Sequence, residues 1–228
     1  MPDQSDQQLF FIDSELIERL MGGDSLPAQQ AAQAEQPRPI PVGPLTVAVA
    51  LASEGRLEDA ANELKNAAAH GEDSADVQAS LGHVLFEQEK WVEAETHYAA
   101  VTRLQPQHST AHYNLGLSLE RQGKFREAER AFAAALGIDP KRWQAHLGRG
   151  LCLLRLGKPS DALPCFDAAL EHVPSREKDA NPGRILFGNA VALQQLGRLD
   201  EAADLYKKLL PASPNSVDLL SNFVALSL

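Results

Sequence analysis

The chain has 228 residues, of which 44% are hydrophobic and 23% charged, so it carries enough apolar sequence for a folded core. Its formal net charge of −10 argues against general binding to a phosphate backbone, and we expect no nucleic-acid partner. No apolar run reaches the roughly 18 residues of a membrane span, so we expect no membrane partner. The two cysteines, Cys152 and Cys165, cannot form a disulfide framework, which favours a reducing, cytoplasmic location.

The first 43 residues differ in composition from the rest of the chain. Residues 1–21 contain an amphipathic segment, 9–21, whose apolar stripe lies opposite Glu15, Glu18 and Arg19. Residues 22–43 are rich in Pro, Ala and Gln, a composition typical of a linker. Three interpretations stay open: residues 1–44 are disordered, segment 9–21 packs on the folded part that follows, or it serves as a ligand for this or another copy of the chain. Its apolar stripe consists of Leu9, Ile12, Leu16 and Leu20.

Charge is unevenly distributed along the chain. Residues 1–44 hold seven acids and two bases, whereas residues 109–176 hold seven acids and ten bases. Ordinary variation of surface charge explains this difference. Electrostatic attraction between the acidic residues 1–44 and the basic residues 109–176 explains it as well, so both interpretations stay open.

One motif recurs along the chain at a spacing of 34 residues. Its clearest copy begins with Leu115-Gly116, continues with Gly123-Lys124-Phe125 and Glu127-Ala128, and closes with Asp139-Pro140. The repeated frames span 41–74, 75–108, 109–142, 143–176 and 183–216, with six additional residues between the fourth and the fifth.

Each frame predicts two helices, because its apolar residues follow helical spacing. The central Gly can adopt a positive φ where the first helix ends, and the closing Pro cannot continue the second helix. One frame cannot bury its own apolar face, so neighbouring frames must stack. This pattern resembles the tetratricopeptide repeat family over 41–228, with five full repeats and the first helix of a sixth. The resemblance implies an all-α fold: a right-handed α-solenoid of antiparallel helix pairs that occupies residues 44–228.

Several features depart from the regular motif, and two of them bear on packing and on the end of the repeat array. Arg149 stands where the motif has Leu before Gly150, so we expect altered packing at this position. From Val217 onward a sixth frame begins but supplies only one helix before Leu228. Its apolar residues suit either a terminal cap or a chain that continues, and we favour continuation. This C-terminal helix is also a candidate surface for self-association.

The sequence carries no recognisable catalytic motif. It has no Gly-rich phosphate-binding loop and no nucleophile elbow. His108 and His112 stand four residues apart but lack an evident third ligand, so we predict no metal site. Cys152 and Cys165 fall on apolar helix faces, where a thiol behaves as a small hydrophobe. We therefore predict that the protein is not an enzyme and binds no cofactor.

The resemblance also implies a binding groove lined by the first helices of the stacked repeats. One subfamily holds a carboxylate there with Lys and Asn, but the matching places carry Tyr113, Leu117, Leu147 and Leu151, so we expect no such clamp. A largely apolar groove with cations at its edge suits an amphipathic helix or a hydrophobic strand. The implied groove residues are Leu45, Val49, His83, Phe86, Tyr113, Leu117, Arg121, Leu147, Leu151, Arg155, Arg184, Phe187 and Val191.

These observations predict a scaffold or adaptor for protein–protein interaction. Its expected partner is a protein or peptide with an apolar, acidic segment, and the chain's own segment 9–21 is one candidate. The alternative is a regulatory or substrate-recruiting arm of a longer enzyme, such as a glycosyltransferase.

Overall fold

The structure is a computed structural model that describes residues 43–70, 74–174, 182–212 and 216–225. Within these ranges every regular element is an α-helix. The predicted amphipathic segment and its linker lie outside the described residues, apart from Gly43.

The chain divides into two compact units, with the boundary after Gln105. In the described residues of the first unit, each helix packs against the next one in chain order. These helices are α1 (Pro44–Ser53), α2 (Leu57–Ala69), α3 (Ala75–Glu87) and α4 (Trp91–Leu104).

The second unit continues the same pattern, in which each helix packs against its successor. Its helices are α5 (Ser109–Arg121), α6 (Phe125–Ile138), α7 (Trp143–Arg155), α8 (Pro159–His172), α9 (Pro182–Gln195), α10 (Leu199–Leu209) and α11 (Val217–Ala225). The predicted all-α fold of consecutive helix pairs is confirmed.

The first helix of each repeat ends in the same backbone motif. After α5, Gly123 adopts a φ of +74°. Its N–H donates to the carbonyl of Glu120 at 2.8 Å, and the N–H of Lys124 donates to the carbonyl of Leu119 at 3.0 Å. These two hydrogen bonds satisfy carbonyl groups that the helix leaves unpaired. The chain can therefore reverse direction here without leaving those groups unsatisfied. In the equivalent turn after α3, Glu89 takes the Gly position with a φ of +60°.

Replacing Glu89 with Gly is expected to raise the free energy of unfolding by about 0.5–1 kcal/mol. A side chain in the left-handed region costs roughly 1–2 kcal/mol, and the greater freedom of Gly in the unfolded chain offsets part of the gain. Urea denaturation followed by circular dichroism measures the change. The reverse substitution, Gly123→Glu, is the matched control and should destabilise the protein. Shifts of the same sign in both variants would contradict this account of the turn.

The core of the second unit depends on aromatic rings seated between glycines. Phe132 on α6 is fully buried. A Cβ atom at Gly116 on α5 would lie 2.7 Å from its ring, and a Cβ at Gly148 on α7 would lie equally close. Gly116 therefore allows α5 and α6 to approach closely. Phe166 on α8 is also fully buried and meets Gly150 and Gly188 in the same way.

Candidate peptide-binding groove

The candidate groove of the second unit is built on the first helices of three successive repeats, α5, α7 and α9. Helix α7 contacts both α5 and α9, so the three helices are neighbours. The positive charges of Arg121, Arg155 and Arg184 all act on the carboxyl group of Glu120. Arg121, Arg155 and Arg184, which come from these three helices, therefore lie near one carboxyl group.

Four apolar side chains on these three helices remain partly accessible. Leu117 lies on α5, Leu151 on α7, and Phe187 and Val191 on α9; all four are half-buried. Leu117 packs against the core cluster around Phe132, which fixes one side of its side chain. We call these four residues, together with Glu120, Arg121, Arg155 and Arg184, the unit-2 groove.

Two predicted groove residues of the second unit offer a partner little surface. Tyr113 and Leu147 are each only 4% exposed. The Tyr113 ring lies 5.8 Å from the ring of Phe132, and the guanidinium of Arg142 lies 5.7 Å from the Tyr113 ring centroid. Burial raises the pKa of the Tyr113 hydroxyl, with a smaller contribution from the charge of Glu120. Both side chains therefore support the groove from beneath.

The edge of the unit-2 groove is cationic around one carboxyl group. Arg121, Arg155 and Arg184 are exposed, whereas Glu120 is half-buried. Burial raises the pKa of Glu120, and the three arginines act in the opposite direction. The Arg155 guanidinium also lies 5.9 Å from the ring centroid of Phe125, a distance that suits a cation–π contact. A ligand entering the groove thus meets apolar surface bordered by positive charge.

The predicted groove residues of the first unit form a smaller accessible set. Leu45 and His83 are half-buried, and Val49 is 38% exposed. Burial lowers the pKa of His83, because the charged imidazolium loses solvation. Phe86 is buried, with its ring edge-on to that of Trp91 at a centroid distance of 4.6 Å. Phe86 therefore packs inside the unit and offers a ligand little surface.

The histidines considered as metal ligands make local backbone contacts instead. His108 Nδ1 accepts a hydrogen bond from the N–H of Ala111 at 3.1 Å, at the start of α5. His112 Nε2 lies 3.0 Å from the carbonyl oxygen of Pro106. In the part of the chain that the structure describes, no group of three or more His, Cys, Asp or Glu side chains could hold a metal ion. Burial raises the pKa of the free thiols of Cys152 and Cys165.

Stacked helix pairs, with a turn inside each described pair that contains one residue of positive φ, are typical of helical repeat proteins. Sequence profiles described as tetratricopeptide repeat match residues 73–141, 113–177 and 153–217. The chain belongs to the tetratricopeptide repeat family. No curated protein matches the sequence.

Solved structures share this fold, and two of the three that follow are described as tetratricopeptide repeat proteins. One from Parabacteroides merdae ATCC 43184 is 22% identical with a TM-score of 0.69, over 80% of this chain and 70% of that one. YrrB, described as having an unusual peptide-binding site, is 20% identical with a TM-score of 0.67, over 78% and 89%. MamA 41-end from Desulfovibrio magneticus RS-1 is 18% identical with a TM-score of 0.66, over 76% and 95%. At these identities the likeness concerns the fold alone.

The fold and the family profiles together indicate a repeat scaffold of the kind that binds other proteins. None of the helices in the described ranges is long and apolar enough to cross a membrane.

Proposed function

We propose that the protein is a non-catalytic adaptor whose unit-2 groove binds an apolar peptide or amphipathic helix of a partner. The observation that carries this proposal is the row of half-buried apolar side chains, Leu117, Leu151, Phe187 and Val191, on three neighbouring helices. Such a row can bury further apolar area when an amphipathic segment lies along it. The free, buried thiols of Cys152 and Cys165 suit a reducing compartment, so we place this function in the cytoplasm.

The charge at the groove edge favours an acidic ligand. Arg121, Arg155 and Arg184 outnumber the single carboxylate of Glu120, so the edge complements negative charge on a bound segment. The chain's own segment 9–21 combines an apolar stripe with Asp13, Glu15 and Glu18. We propose it as one ligand, bound either within its own chain or by another copy. Tethering raises its effective concentration to roughly millimolar, which compensates for weak intrinsic affinity.

Replacing both Leu117 and Leu151 with Asp is expected to reduce partner capture at least about tenfold. Two carboxylates would then occupy the centre of the apolar row, where a bound segment would bury them. The full chain, immobilised and exposed to an extract of the cells of origin, captures partners that mass spectrometry quantifies. Circular dichroism verifies that helix content is unchanged.

The matched control is the pair Val92→Asp and Leu104→Asp, which changes the net charge equally. These two side chains are 64% and 56% exposed on α4 of the first unit. The control variant should capture the same proteins as the unaltered chain. Equal capture by the groove variant would place the interface elsewhere and refute the proposal.

The same groove variant tests the identity of the ligand. A labelled peptide of residues 9–21 is titrated with protein that lacks residues 1–22, with and without the two Asp substitutions. Binding that the substitutions remove supports segment 9–21 as a ligand. Failure of the peptide to bind, alongside groove-dependent capture of other proteins, would reject the internal ligand and retain the adaptor.

A further inference from the structure

A second candidate surface lies between α6 and α8, with α7 as its floor. The cleft has a volume of about 800 Å³ and is lined by four basic side chains and two acidic ones. Arg126 and Arg130 come from α6, Arg149 from α7, and Lys158 from the turn before α8; the acids are Glu129 and Asp161. We call this surface the basic cleft.

Arg149 gives this cleft a polar floor. The two preceding frames carry Leu81 and Leu115 at the same place in the repeat. The Arg149 Nε donates to Glu129 Oε1 at 2.8 Å, and the two side chains are 38% and 20% exposed. This pair neutralises the Arg149 charge within the protein. The irregular residue in the sequence motif is therefore accommodated by an ion pair that reaches across to the preceding helix.

The remaining cations are available to a ligand. Arg126, Arg130 and Lys158 are exposed, and their charged side-chain groups form no ion pair or hydrogen bond with another described residue. Arg126 and Arg130 lie four residues apart on α6, so they are neighbours one helical turn apart. Leu156 is half-buried and contributes apolar surface to the same cleft, whereas Leu153 is only 5% exposed.

The next repeat provides an internal comparison. The corresponding cleft between α8 and α10 holds about 360 Å³, and its charged lining residues are three acids and two bases. Asn189 occupies the place of Arg149 and donates to Asp167 at 3.0 Å. The Arg198 guanidinium lies 2.7 Å from Glu201. Excess positive charge is therefore a property of the basic cleft and not of every inter-helix cleft in the described part of this unit.

We propose that the basic cleft binds an acidic amphipathic helix of a partner protein. Carboxylates one turn apart on that helix meet Arg126 and Arg130, and apolar side chains between them meet Leu156. A nucleic acid would extend past the cleft over a protein of net charge −10, so a short acidic segment fits better. On α7, Arg149 and Leu153 belong to a different helical stripe from Leu151, so this site is independent of the unit-2 groove.

The test uses a fluorescein-labelled 14-residue peptide with pairs of glutamates four residues apart and leucines between them. Fluorescence anisotropy with the full chain at about 50 mM salt should detect binding, and a peptide with glutamine in place of glutamate should bind at least about tenfold more weakly. Substituting Arg126→Glu with Arg130→Glu should weaken binding of the acidic peptide by about tenfold or more. Both positions are exposed, so the fold should persist.

The matched control is Lys207→Glu with Lys208→Glu on α10, which changes the net charge by the same amount. We expect less than a twofold effect on affinity from this pair, and none from the groove variant Leu117→Asp with Leu151→Asp. No binding, equal binding of the glutamine peptide, or equal weakening by both charge reversals would overturn the proposal. Loss of binding in the groove variant would assign the peptide to the groove. Tighter binding of a 14-nucleotide single-stranded DNA than of the peptide would assign the cleft to nucleic acid and overturn the proposal as well.

Discussion

Replacing Phe132 with Ala is expected to lower the free energy of unfolding by about 3–5 kcal/mol. The Phe132 side chain is fully buried and forms part of the cluster that includes Tyr113, Ala128 and Ala145. Truncation removes the transfer free energy of the ring and leaves a cavity. Glycines on both sides of the ring have no side chains that could move in to fill that cavity.

Urea denaturation monitored by circular dichroism measures this effect on the full chain. The control is Phe125→Ala, because Phe125 begins the same helix but is only half-buried, and it should cost about 1–2 kcal/mol. A Phe132 variant no less stable than the Phe125 variant would show that this ring is not a main support of the second unit.

Much of the fold follows from local signals in the sequence. The 34-residue spacing places Gly123 at the end of α5, and the structure ends that helix at Arg121 with Gly123 in the left-handed region. The same spacing places Glu89 at the equivalent position, where it also has a positive φ. These features are predictable because a turn of this kind depends on residues close together in the chain.

The accessibility of individual groove residues could not be predicted in this way. Phe86 occupies an inward place of its repeat, yet the ring of Trp91 covers it from the next helix. Tyr113 is buried between Phe132 on α6 and Arg142 in the turn before α7. Whether an inward side chain reaches the surface depends on the size and direction of its neighbours, and the repeat register does not specify these.

The basic cleft also depends on contacts between helices. The sequence marks Arg149 as a departure from the motif but does not identify its partner. Glu129 lies 20 residues earlier, on the preceding helix, and approaches only when the helix pairs pack. At the position where the sequence predicts altered packing, Arg149 therefore forms a specific ion pair with Glu129, beside three exposed cations. The residues that line the first-helix groove lie on a different stripe of α7 and give no indication of this face.

Replacing Gly116 with Ala is expected to destabilise the protein by about 1–2 kcal/mol. The new Cβ would lie 2.7 Å from the Phe132 ring, and the ring cannot retreat because Gly148 faces it equally closely from the other side. Overpacking of this kind costs roughly 1–3 kcal/mol, and the better helix propensity of Ala returns up to about 1 kcal/mol.

Gly137→Ala provides a control with the opposite expected sign. Gly137 lies within α6, and a Cβ there would meet no heavy atom within 4 Å, so only the helix propensity changes. This variant should gain about 0.5–1 kcal/mol in urea denaturation. A double-mutant cycle with Phe132→Leu identifies the cause of the Gly116 effect, because a smaller side chain at 132 should reduce the penalty at 116. A penalty that is unchanged in the Phe132→Leu background would mean that the ring is not what requires Gly at this position.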